Sequence, residues 1–195
     1  MKSKVAGIVF VVASLYYILA EAISAAFFKD FLFNTYFFHS ISELGIPNAS
    51  SPLALLMNSA FIIVGLALIF GNFYEFKNYI VKNKAIFYIL TLTTGIGVII
   101  VALIHGGNPL TISYHMIGAV MAILGGNFML IAVSRSMGEF ETYQKTTLLL
   151  GIIGLMAFLV LFFSINNVNM FIFERIAVYT LIVWSFLTGI FLLKV

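Results

Sequence analysis

The sequence predicts an all-α fold: a polytopic integral membrane bundle of six helices with both termini cytoplasmic. Three observations lead there. Of 195 residues, 63% are hydrophobic and only 9% are charged, and the mean hydropathy is +1.14. A soluble domain carries about 25% charged residues, so this chain has too few to coat a water-facing surface. Second, the apolar residues gather in six runs close to the ~20 residues that a helix needs to cross the hydrocarbon core. None alternates like a membrane β-barrel strand, and helices satisfy their own backbone hydrogen bonds in lipid. Third, the basic residues fall mostly on one side of those runs.

The first expected span is Val5–Phe28. It has features of a signal peptide, with Lys2 and Lys4 ahead of an apolar run and Ala20-Glu21-Ala22 as an A-x-A-like site. It is read as a retained span. Ser14, Tyr17, Glu21 and Ser24 recur at helical spacing and form one polar stripe on it. Glu21 is the most informative residue. A carboxylate inside a span costs about 2.5–3.5 kcal/mol on insertion scales for the analogous Asp, so it must face the bundle interior and find a partner. Arg175, at the mouth of the sixth span, is the natural counter-ion, and Tyr179 shares its face four residues on.

Residues 29–51 follow as the longest polar break. Phe31, Phe33, Tyr36, Phe37 and Phe38 suit an interfacial segment. "FFHSISELGIPNASSP" then places His39, Ser40, Ser42 and Glu43 ahead of a Gly45-x-Pro47 turn. Aromatic content and a tight turn predict a lid folded over the helix ends.

The second span, Pro52–Phe73, carries Asn58 about two turns in. The third, Ala85–Ile104, ends at His105, and the fourth, Ile112–Ser134, opens near His115. The turn Gly106-Gly107-Asn108-Pro109 between them brings both imidazoles to one membrane face. The fifth and sixth spans are Thr147–Ile165 and Ile176–Leu193, with Glu174 and Arg175 at the entrance to the sixth. Gly95, Gly97, Gly118, Ala122, Gly125, Gly126, Gly151 and Gly154 permit close helix approach, and Asn127 suits an interhelical hydrogen bond. The whole chain, 1–195, reads as a single six-span domain.

Six spans put Lys2, Lys4, Lys77, Lys82, Lys84, Arg135, Lys145 and Lys194 on the side of the termini, and only Lys29 and Arg175 on the other. That positive-inside bias places the termini in the cytoplasm of a cell (plasma) membrane and the lid outside. The sequon Asn48-Ala49-Ser50 falls on the outer side too. The net charge of +3 is spread over span ends, so nucleic acid is not an expected partner. There is no cysteine, which excludes disulfides, thiolate nucleophiles and Cys-ligated metal.

"SISELG" with its Pro turn, "MNSAFIIVG", "GIGVIIVALIHGG", "YHMIGAVMAILGGN" and "FERIAVYTLIVW" together resemble the prokaryotic domain-of-unknown-function family 998 over nearly the whole chain. That family is similar in layout to the Frag/DRAM/Sfk-type six-span membrane proteins. The resemblance implies a six-span architecture, and its matching positions are Glu21, Ser40, Ser42, Glu43, Gly45, Asn58, His115, Glu174, Arg175 and Tyr179. The turn after the third span, "HGGNPLTIS", departs from the family pattern, and no settled activity comes with the family.

Three function classes follow. The first is a non-enzymatic accessory subunit or lipid-binding module with an outward polar pocket of Glu21, Ser40, Ser42, Glu43, Asn58, Glu174, Arg175 and Tyr179. Its partners would be membrane lipids and a larger membrane complex or a second copy. The second is a membrane-embedded enzyme acting on an outer-leaflet lipid. His39, Glu43, His105 and His115 are its catalytic candidates, and His39, His105 and His115 its candidate metal ligands. It lacks HExxH and G-x-S-x-G motifs, and Ser40 and Ser42 have no recognisable nucleophile spacing. The third is a small transporter or channel, without a broken-helix pair or inverted repeat to support it. No cofactor is identified; His105 and His115 lie at the membrane edge, unsuited to a bis-histidine haem. A working metal centre would need the three histidines to converge near Glu43 and Glu174.

Overall fold

The computed structural model describes residues 4–48, 50–163 and 171–195. Lys2, Ala49 of the sequon and the expected end of the fifth span at Ile165 lie outside them. The described chain is helical: α1 (Val5–Ala26), α2 (Phe31–Phe38), α3 (Ala54–Tyr74), α4 (Lys84–Leu103), α5 (Ile112–Ser136), α6 (Glu141–Phe163) and α7 (Phe171–Lys194). All but α2 are long and apolar enough to cross a membrane, and the chain is a multi-pass membrane protein. Among the described residues, extended pairing is confined to two isolated bridges, Asn48–Ser51 and Ile80–Met137.

Two spans begin earlier than hydropathy places them. α6 starts at Glu141 instead of Thr147, because its polar first turn is tied down. Glu141 pairs with Lys145 one turn on. Gln144 Nε2 donates to Met137 O at 2.9 Å. The Tyr143 ring stacks on Phe191 at 4.8 Å. α7 starts at Phe171 instead of Ile176. Its first turn holds Glu174, a position where the helix dipole favours negative charge, and brings Arg175 inside the bundle.

The spans form a closed ring. Each packs on its neighbours in the sequence, α1 on α3, α3 on α4 and so on to α7, which returns to α1. Glycines set the closest approaches. A Cβ on Gly97 of α4 would stand 2.6 Å from Ala122 N and 2.7 Å from Gly118 O of α5, so that pair of backbones touches where no side chain fits. Ile8, Val12, Leu15 and Leu19 recur at helical spacing on α1 and are each more than half exposed, giving it an apolar outer face suited to lipid.

Inside the ring the two ends differ. At the termini end, where Lys4 Nζ donates to Leu193 O at 3.0 Å, aromatic rings fill the axis. Trp184 packs edge-on against Phe76 at 5.7 Å and Phe10 at 6.1 Å, and all three are fully buried. Midway, Asn127 of α5 donates to Ala177 O of α7 at 3.0 Å and accepts from Thr180 Oγ1 at 2.8 Å. At the other end, α2 and a 3-10 turn, Ser42–Gly45, lie across the helix ends. Ile41 and Leu44 are buried there. Lys29 N donates to Ser50 O at 3.0 Å, which closes this cap onto itself.

Candidate functional site

The site grows from the polar stripe of α1. Ser14, Tyr17, Glu21 and Ser24 are all buried, as helical spacing on an inward face requires. Glu21 meets α7. Arg175 Nε donates to Glu21 Oε1 at 3.1 Å, and the Tyr179 hydroxyl donates to Glu21 Oε2 at 2.9 Å, so both carboxylate oxygens are satisfied. Glu21 and Arg175 are excluded from the surroundings. Such a pair is stable only when its remaining donors are also bonded.

They are, through the cap. Arg175 Nη1 donates to His39 O at 2.6 Å, and Nη2 to Thr35 O at 3.3 Å. Both carbonyls lie at the C-terminal end of α2, where the helix dipole attracts a cation; Thr35 O also accepts from His39 N at 3.2 Å. The guanidinium also lies 4.8 Å from the Tyr36 ring centre, in cation–π range. The Tyr36 hydroxyl contacts Tyr179; burial, with Glu21 beside it, pushes Tyr36 above its ordinary value of 10.0.

The cap has its own polar clasp. His39 Nε2 lies 2.6 Å from Asp30 Oδ2 and His39 Nδ1 lies 2.7 Å from Glu43 Oε2. Only an imidazolium donates from both ring nitrogens, and two carboxylates suit that form. Glu43 Oε1 accepts from Ser40 N and Ser40 Oγ, both at 3.2 Å, and Ser40 Oγ accepts from Glu43 N at 3.2 Å. This reciprocal box starts the 3-10 turn. Ser42 Oγ lies 3.2 Å from Ser40 Oγ. Gly45 ends the turn against Asn58. Asn58 Nδ2 donates to Gly45 O at 2.8 Å, and a Cβ on Gly45 would overlap the Asn58 amide oxygen.

The remaining histidines sit under the cap but are separately engaged. His105 Nε2 lies 3.1 Å from Asn58 Nδ2, and His115 Nδ1 donates to Ile104 O at 2.7 Å. His39, His105 and His115 therefore do not meet at a shared centre with Glu43 and Glu174. Among the described residues no group of three or more His, Asp or Glu side chains is arranged to hold a metal ion. His39 is bonded within the cap, His115 across the hairpin, and His105 to the adjacent span. The departing turn "HGGNPLTIS" has a packing role: Gly107 lies where a Cβ would press on Ile46 of the cap.

Beneath the cap, inside the ring, is a cavity with about 570 Å³ of empty space, part of it open to the surroundings. Its walls are apolar: Phe61, Val64, Val98, Val101, Leu181 and Ile182 among them. Tyr17, Ser42 and Glu174 add the polar groups. Glu174 and Ser42 stand where α7 begins and the cap crosses, so the polarity gathers at the cap end. Glu174 accepts from the backbone N–H of Ile41. The Tyr17 hydroxyl is buried and has no hydrogen-bond partner among the described residues. Sequence reasoning placed Tyr17 on the stripe but gave it no role. It also missed Asp30 as a partner of His39, and Tyr36 over Arg175. The aromatic and acidic residues of the break were visible; their directions were not.

A family model described as "Protein of unknown function (DUF998)" matches residues 5–190. No curated protein and no solved structure matches the chain.

Proposed function

From the premise that this chain belongs to the DUF998 family of unknown function, we propose that it is a lipid-binding membrane protein that acts without chemistry of its own, as a binding module or accessory subunit. One observation carries this reading. The capped half of the ring encloses an apolar cavity with its polar groups at one end, and the other half is filled by Trp184, Phe76 and Phe10. Ligand pockets are mostly apolar with a few placed polar groups, and the lining of this cavity has that arrangement. An acyl chain fits the walls and a headgroup fits the end beneath the cap. The distribution of basic residues supports an outward-facing cap on a plasma membrane, so an outer-leaflet lipid is the expected occupant.

The enzyme reading finds less support. His39 has both ring nitrogens bonded to Asp30 and Glu43, so neither is directed at Ser40 or Ser42. A transport path would have to pass the aromatic end of the ring.

Native mass spectrometry of the protein released from nanodiscs tests the proposal. The expected result is a co-purifying lipid at about one per chain, lost in Ala122→Phe, which fills the cavity. Lipid-free spectra for the wild-type chain, or retention unchanged by Ala122→Phe, would overturn it.

A further inference from the structure

Arg175 acts on both Glu21 and Glu174, and one guanidinium does not balance two carboxylates. Glu21 is neutralised by Arg175, whose three nitrogens point to Glu21, His39 O and Thr35 O. Glu174 is the carboxylate that lines the cavity, and its hydrogen bond among the described residues comes from the uncharged N–H of Ile41. No lysine or arginine is among the residues that line the space. Tyr17 lines the same space; it is 1% exposed, and its hydroxyl has no hydrogen-bond partner among the described residues. A carboxylate in an apolar enclosure is costly unless a cation or a strong donor faces it. The walls toward Leu181 and Ile182 offer nothing polar to an occupant. From Glu174 to Ile182 the helix rises about 12 Å, which sets the depth of chain that the cavity receives.

We propose that the cavity selects a single-chain amphiphile with a cationic amine head, the nitrogen donating to the Glu174 carboxylate and the Tyr17 hydroxyl oxygen beneath the cap, and the chain running inward toward Leu181 and Ile182. This rests on the lipid-binding reading and sharpens it to a headgroup class. An ammonium has three donors and no acceptor, which matches two oxygens at the end of an apolar slot. A fatty acid brings a second negative charge to Glu174 and is rejected. A neutral alcohol fills the slot and makes one weaker bond.

The test uses the full chain in phosphatidylcholine nanodiscs and three probes of equal length: dodecylammonium, dodecanol and dodecanoate. Binding is read by native mass spectrometry and thermal shift, with protein-free nanodiscs subtracted. Charge-assisted hydrogen bonds are roughly twice as strong as neutral ones, so dodecylammonium is expected to bind about ten-fold more tightly than dodecanol, with dodecanoate weakest. Glu174→Gln should bring the amine down to the affinity of the alcohol. Tyr17→Phe should weaken amine and alcohol alike, by roughly three-fold. Equal affinity for amine and alcohol, or an amine preference that survives Glu174→Gln, overturns the headgroup assignment and leaves the lipid-binding reading standing. Absence of saturable binding by any probe overturns both. Should Glu174→Gln fail to fold, the ranking of the three probes on the wild-type chain still decides.

Discussion

Arg175 Nε lies 3.1 Å from Glu21 Oε1, though the two residues are 154 positions apart in sequence, and both side chains are buried. The contact fastens the last span to the first, where the ring closes. Removing one partner leaves an uncompensated buried charge, which costs about 3–5 kcal/mol. Glu21→Gln and Arg175→Met should each destabilise the protein by that order in nanodisc unfolding measurements. The double variant should lose clearly less than the sum. Additive losses would show that the two charges do not interact.

Arg175 also holds the cap, through a fork that lysine cannot reproduce. Arg175→Lys keeps the positive charge near Glu21 but gives up the bonds to Thr35 O and His39 O. Hydrogen exchange over Phe31–Phe38 should rise about ten-fold or more for two lost charge-assisted bonds, with α3 to α5 unchanged. A uniform rise across all helices would mean that the residue supports the bundle as a whole.

Gly154 of α6 faces the Asn127 amide, and a Cβ there would overlap Asn127 Oδ1 and stand 2.6 Å from Thr180 Oγ1. Gly154→Ala should therefore destabilise by about 1–3 kcal/mol, the usual cost of overpacking. In an Asn127→Ala background the same change should cost far less, because the obstructing amide has gone. Equal costs in the two backgrounds would place the clash elsewhere.

Tyr36 gives a pH test. Burial first, and the Glu21 carboxylate second, push its folded value above 10.0. The unfolded chain then gives up this proton before the folded one. The stability that this contributes is fully present below pH 10 and is lost as pH rises from there through the raised folded value. Wild type should lose stability faster than Tyr36→Phe in that alkaline window, while the difference between them stays constant at lower pH. Parallel profiles throughout would show an unperturbed hydroxyl.

Much of this fold could be read because lipid imposes simple rules. Runs of apolar residues located all six crossings, and the small residues at Gly97 and Gly118 announced where α4 and α5 touch. The starts of α6 and α7 were hidden by polarity: Glu141, Gln144, Glu174 and Arg175 look like loop, and only tertiary contacts turn them into helix. The pairing of Glu21 with Arg175 was legible because a buried charge demands a partner. The carbonyls of Thr35 and His39 were not, since every residue has a carbonyl and the sequence does not say which ones a distant side chain will reach. The histidines clustered at one end as read, but their partners were decided by local reach: His39 by acids four and nine residues away, and His115 by a carbonyl across the hairpin.

The aromatic end of the ring has an optical consequence. The chain has one tryptophan, and it sits among Phe10 and Phe76 at the end away from the cap. Its emission is therefore a built-in reporter of that end alone. A ligand entering beneath the cap should leave the spectrum still, whereas any alternating motion that admits water along the axis must wet Trp184 and shift its emission to the red. A single fluorescence trace, recorded while amphiphile is added, thus separates a receptor that only fills from a carrier that also opens.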